Sequence, residues 1–130
     1  MPPRPRRVLV VDDHVETANG LASLLRMSGH TVRVAQDGPD ALASARELSP
    51  EVVILDIGLP GMDGYEVASR LRQEECSKGA VIIAVSGYGE EQARSRSEKA
   101  GVNQYLVKPV NFDTLVALMD RPESGLADRP

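Results

Sequence analysis

Three carboxylates stand in this chain where charge is costly. Asp56 closes the apolar run Val52-Val53-Ile54-Leu55, and Asp12 and Asp13 follow Val8-Leu9-Val10-Val11. Short continuous Val, Ile and Leu runs read as strands covered on both faces, so each acid sits at the mouth of a buried strand. Acids grouped this way repel one another, and a bound cation relieves the repulsion. Two further runs end on useful groups. Val81-Ile82-Ile83-Ala84-Val85 leads to the hydroxyl of Ser86, and Tyr105-Leu106-Val107 leads to the ammonium of Lys108, directly before Pro109. The set is three carboxylates, one hydroxyl and one ammonium, a combination that can hold a cation and, beside it, a phosphate.

The elements that must position these groups alternate between such runs and stretches of helical period. A first helix over 14–28 places Ala18, Leu21, Ala22 and Leu25 at i, i+3, i+4 and i+7, and Gly29 ends it as a left-handed cap. A second strand covers 31–35. Asp37 caps the next helix, with Pro39 in its first turn and Ala41, Ala45 and Leu48 facing inward. A third helix over 64–74 buries Val67, Ala68 and Leu71, and a last helix over 111–120 buries Phe112, Leu115, Val116 and Met119. The segment 90–100 is a weaker helix, because only Ala93 and Ala100 are apolar among Glu91, Arg94, Arg96, Glu98 and Lys99. Five strand-plus-helix units with continuous apolar strands imply an α/β fold, a (βα)5 parallel sheet with helices on both faces.

The motifs Asp12-Asp13, Asp56 with the turn Gly58-Leu59-Pro60-Gly61-Met62-Asp63-Gly64, Ser86 and Lys108-Pro109 come in a specific order and spacing. Over residues 7–120 this pattern resembles the receiver domains of two-component response regulators, the family that includes the chemotaxis regulators. The resemblance implies a flavodoxin-like, doubly wound sheet of order 2-1-3-4-5, with strand 1 beside strand 3. Ligands of such sheets bind outside the carboxyl ends of the strands near the switch point, which brings Asp12, Asp13 and Asp56 together. By the same resemblance Asp56 is the phosphoacceptor and also a ligand of Mg²⁺, with Mn²⁺ as a possible substitute. Asp13 is the closest metal ligand, Asp12 acts through a bound water, and the Gly58 backbone carbonyl is a further ligand. Lys108 pairs with one phosphoryl oxygen, Ser86 bonds another, Tyr105 is the switch aromatic that turns inward on phosphorylation, and the Lys108-Pro109 peptide is cis.

The function so implied is a phosphorelay receiver. It takes a phosphoryl group from a phosphohistidine on a sensor histidine kinase or a histidine phosphotransfer protein, and later hydrolyses it. The surface of the fourth helix, fifth strand and last helix is then re-presented to a partner or to a second copy of the chain. It is a switch more than a metabolic enzyme, with no organic cofactor. The chain reads either as a stand-alone regulator or as part of a hybrid sensor kinase.

Taken singly, these residues have plainer readings. Asp12 or Asp13 alone is as readily a helix cap, Ser86 a turn serine, Lys108 a solvated lysine and Tyr105 a strand residue that never moves. His14 reads as a capping or surface histidine, His30 as a loop residue, and Met62 and Asp63 as turn residues. Gly58, Gly87 and Tyr88 depart from common receiver choices around the attacking water, so phosphoryl lifetime stays open. Two rival classes fit less well. A flavin binder of similar fold needs a phosphate cradle where Asp12-Asp13 would repel it, and aspartyl phosphatases of the haloacid-dehalogenase pattern carry Asp-x-Asp after strand 1, whereas these acids are adjacent.

At 130 residues with a net charge of −4, the chain suits one small domain rather than a nucleic-acid binder, which needs clustered Lys and Arg. Residues 1–6 form a basic Pro/Arg leader and 121–130 a polar tail or linker stub. Cys76 is the only cysteine and reads as an exposed thiol without metal spacing. No apolar stretch matches a membrane span or signal peptide, so a cytoplasmic location without membrane attachment is expected.

Overall fold

The computed structural model describes residues 5–59, 61–87 and 100–119. Its elements in chain order are β1 (Arg7–Val11), α1 (Val15–Met27), β2 (Thr31–Ala35), α2 (Gly38–Leu48), β3 (Val52–Asp56), α3 (Gly64–Gln73), β4 (Val81–Ser86), β5 (Gln104–Val107) and a last helix, α4 (Phe112–Met119). All four strand pairings are parallel, and the order is β2-β1-β3-β4-β5. The expected helix over 90–100 lies outside the described residues except for its last position, Ala100.

The continuous apolar strands have a direct structural cause. Alternate residues feed two separate cores, one on each face of the sheet. Leu9 and Val11, Val53 and Leu55, Ile82 and Ala84 face α2 and α3. Val8 and Val10, Val52 and Ile54, Val81, Ile83 and Val85 face α1 and α4. Burying a side chain such as Leu9, Leu55 or Ile83, each fully inaccessible, contributes about 2 kcal/mol relative to exposure. A sheet covered on both faces leaves its strand ends as the natural place for polar chemistry.

Helix boundaries follow local chemistry. Asp37 caps α2 by accepting from Asp40 N at 2.8 Å, and Asn111 accepts from Thr114 N at 3.0 Å ahead of α4. Gly29, with φ +100, takes the left-handed position after α1. Asp63, read from sequence as a plain turn residue, caps α3 by accepting from Glu66 N at 2.9 Å. Leu21, Leu48, Phe112 and Val116 are only half-buried rather than fully inside. Cys76 is half-buried against the α2/α3 core rather than exposed.

Two basic and neutral groups differ more from expectation. Arg6, placed by sequence in a solvated leader, is buried, and its backbone N–H donates to His30 Nδ1 at 3.0 Å. The loop histidine is therefore a buried acceptor. Among the described residues no helix is long and apolar enough to cross a membrane.

Candidate functional site

The strand ends bring the sequence-predicted residues to one edge of the sheet. Asp12 N donates to Ala35 O at 3.0 Å, extending the β1–β2 ladder past Val11 and fixing the acid that follows. Asp56 is the last residue of β3, paired in register with Val85. Lys108 N donates to Ser86 O at 2.8 Å, so the lysine is held level with the end of β4. Its peptide to Pro109 is cis, the expected isomer.

A cleft of about 380 Å³ is lined by Asp13, His14, Asp56, Gly58, Ser86 and Lys108 among others. Asp56 is buried, with Oδ1 accepting from Gly58 N at 2.9 Å and Oδ2 facing Lys108 Nζ at 3.2 Å. The start of α3 is drawn against this acid. A Cβ on Gly64 would stand 2.6 Å from Ile57 Cα and 2.9 Å from Asp56 O, so only glycine permits the approach.

Asp12 is buried and accepts from His14 N at 2.9 Å, while Asp13 is more exposed. The Asp12 carboxyl is pushed above its ordinary value of 3.8, first by desolvation and further by Asp56 and Asp13, against the lowering effects of the His14 N–H and Lys108. Crowded carboxylates with one nearby ammonium are short of positive charge. A set of hard oxygen donors in that state fits a divalent cation. Asp12, Asp13 and His14 bring possible ligand atoms within 4.8 Å of one another. Asp56 is not part of that close set; its two oxygens face Gly58 N and Lys108 Nζ.

Ser86 is buried; its Oγ donates to Gly87 O at 3.1 Å and lies 2.5 Å from the Tyr105 hydroxyl. The single serine proton is used on Gly87 O, so Tyr105 donates to Ser86. The Tyr105 ring packs half-buried against the α2/α3 core. Tyr88 lies outside the described residues.

The family question is decided by the whole chain as well as the site. A model of the response regulator receiver domain matches residues 8–120. The chain belongs to the response regulator receiver family. This receiver is 31% identical over 119 residues to protein PilH of Pseudomonas aeruginosa, covering 92% of this chain and 98% of that one. It is 39% identical over 111 residues to the transcriptional regulatory protein PrrA of Mycobacterium tuberculosis, covering 85% of this chain but only 47% of PrrA. Among solved structures, the chemotaxis protein CheY4 of Vibrio cholerae superposes with a TM-score of 0.85 at 28% identity, over 92% of this chain and 99% of that one. A CheY-like receiver from Methanospirillum hungatei gives 0.83 at 26% identity, over 97% and 100%.

His14, read from sequence as a capping or surface histidine, is the 74% exposed residue that precedes α1, and its Nδ1 lies 3.7 Å from Asp12 Oδ1 and 3.8 Å from Asp13 Oδ1. Sequence reasoning missed two contributors to this receiver's site and frame. Asp63 caps α3 and lines the cleft, with the spacing Asp63 to Glu66 as the sign. Arg72 donates to Gly101 O, Lys78 O, Ala80 O and Asn103 Oδ1, tying α3 to the approach to β5. No local motif announces it.

Proposed function

We propose that this receiver accepts one phosphoryl group on the Asp56 carboxylate from a phosphohistidine of a sensor histidine kinase or histidine phosphotransfer protein. The observation that carries the reading is the buried Asp56 carboxylate facing Lys108 Nζ at 3.2 Å in a cleft shared with Asp13, Gly58 and Ser86. An Asp56 oxygen attacks phosphorus, the P–N bond to the donor imidazole breaks, and an acyl phosphate remains. Lys108 stays as the counter-charge for a phosphoryl oxygen, and Ser86 turns its proton from Gly87 O to another. Water later attacks phosphorus, the P–O bond to Asp56 breaks, and inorganic phosphate leaves.

Asp12, Asp13, Asp56 and the Gly58 carbonyl are the groups that would hold Mg²⁺ or Mn²⁺. When bound, the ion supplies charge neutralisation of the phosphoryl oxygens, which is most of what phosphoryl transfer requires. The Ser86–Tyr105 contact connects the site to β5, which with the segment 90–100 and α4 would form the surface offered to a partner or second copy. Whether the receiver acts as a stand-alone regulator or within a hybrid kinase is decided by the full gene. We read the protein as cytoplasmic, without membrane attachment, and its acidic balance disfavours direct binding of nucleic acid.

The test is intact-mass measurement after incubation with acetyl phosphate and Mg²⁺. One phosphoryl mass is expected on the wild type and none on Asp56→Asn. Continued labelling of Asp56→Asn, or continuous turnover of a generic phosphate ester, overturns the reading.

A further inference from the structure

His14 has no role in the scheme above, yet it lies beside the acid pair. Its backbone N–H donates to Asp12 Oδ1 at 2.9 Å, and its Nδ1 stands 3.7 Å from that same oxygen and 3.8 Å from Asp13 Oδ1. It precedes α1 in an extended conformation with no side-chain capping bond, so the imidazole is not engaged as a helix cap. The side chain is 74% exposed.

Neighbouring ligands around an ion bound at roughly 2.1 Å are about 3 to 3.5 Å apart. The two separations from His14 are therefore within about 1 Å of ligand spacing, and the three ligand atoms of Asp12, Asp13 and His14 lie within 4.8 Å of one another. The geometry points to His14 as a nitrogen ligand that makes this metal site prefer imidazole-seeking divalent ions, such as Ni²⁺, Co²⁺ and Zn²⁺, beyond what an oxygen-only site would give. The inference rests on the proposed metal role of Asp12 and Asp13. Its physical basis is ligand type: Mg²⁺ is satisfied by carboxylates, carbonyls and retained water, whereas the later transition ions gain strongly from imidazole.

A different reading of the same distances is an imidazolium that merely pairs with the two acids. The two make opposite demands. A ligand strengthens binding of Ni²⁺ and leaves Mg²⁺ alone, whereas an imidazolium repels every cation, so its removal would tighten both.

The experiment is calorimetric titration of Mg²⁺ and of Ni²⁺ at mildly alkaline pH into wild type, His14→Ala, His14→Gln and Asp13→Asn, all in a Cys76→Ser background that removes the thiol as a rival ligand. Both His14 variants should lose about tenfold or more in Ni²⁺ affinity with Mg²⁺ affinity unchanged, while Asp13→Asn weakens both ions. Equal Ni²⁺ affinity with and without His14, or tighter binding of both ions on its removal, overturns the inference and leaves the Mg²⁺ site standing. Failure of the wild type to bind Mg²⁺ would instead overturn the metal reading beneath it, and this inference with it.

Discussion

Lys108 Nζ stands 3.2 Å from Asp56 Oδ2, and the carboxylate's other oxygen is occupied by Gly58 N at 2.9 Å. The lysine is thus the internal counter-ion of the acid that would carry the phosphoryl group. It also competes with any cation for that acid. Lys108→Ala should accordingly have two opposed effects. Phosphoryl transfer to Asp56 should slow about a hundredfold, the usual cost of removing one preorganised charge donor. Mg²⁺ should bind more tightly, because a positive neighbour has gone. Labelling time courses with acetyl phosphate and Mg²⁺ titrations check both; weaker Mg²⁺ binding would show that the lysine does not oppose the ion.

Asp12 gives the site a pH signature. Its carboxyl is raised above 3.8 chiefly by desolvation, so the folded state holds this proton more tightly than the unfolded chain does. The stabilising contribution of that proton is complete below 3.8 and is lost as pH rises through the elevated folded value. Asp12→Asn, which keeps an oxygen for His14 N–H, should therefore be more stable than wild type at pH 7. The difference should shrink as pH falls from the elevated value towards 3.8. Partial exposure screens the effect, and added Mg²⁺ should narrow it by stabilising the wild type alone. Thermal unfolding of the two proteins from pH 3.5 to 7.5 is the measurement, and a variant less stable than wild type at pH 7 contradicts the argument.

What the sequence made legible was whatever a strand must do at its own end. Val52 to Leu55 cannot be apolar at every position unless both faces are covered, and a charge at Asp56 then has nowhere to go but the sheet edge. The same logic placed Asp12, Ser86 and Lys108. What stayed hidden depends on side chains that reach backbone groups far along the chain. Arg72 binds carbonyls, which every residue possesses, and Arg6 is held through its own N–H to His30; neither leaves a pattern in residue type. The contact of Tyr105 with Ser86 was also hidden, because one tyrosine in a strand reads the same whether its hydroxyl meets water or Ser86.

Arg72 offers a stability test away from the chemistry. Its guanidinium donates to Gly101 O at 2.9 Å, Lys78 O at 2.7 Å, Ala80 O at 2.6 Å and Asn103 Oδ1 at 2.5 Å. Asn103 Oδ1 also accepts from Ile82 N at 2.7 Å, so one cation gathers the end of α3, the start of β4 and the approach to β5. Burial lowers its pKa below the ordinary arginine value. Arg72→Ala should cost on the order of 3 kcal/mol by leaving several carbonyls unpartnered. Arg72→Lys should recover little, since an ammonium lacks the planar fork. Denaturant unfolding measures both, and a loss below about 1 kcal/mol for the alanine variant would mean that water replaces the guanidinium.

Ser86 Oγ donates to Gly87 O and lies 2.5 Å from the Tyr105 hydroxyl, so it links the acid site to β5. If Ser86 turns its proton to a phosphoryl oxygen, the Gly87 carbonyl loses a partner while the Tyr105 contact is kept and strengthened by the polarised hydroxyl. The response to phosphorylation should then tighten β5. Beryllofluoride, a stable mimic of the aspartyl phosphate, provides the comparison. Amide exchange should slow in residues 100–107 by about fivefold, the factor matching roughly 1 kcal/mol for one strengthened hydrogen bond, with little change in β1 and β2. Tyr105→Phe should abolish most of that slowing while leaving phosphoryl labelling of Asp56 intact, because it removes the connection and not the acceptor. Equal protection across the sheet, or the same response in Tyr105→Phe, would separate β5 from the site and leave the serine with a purely local role.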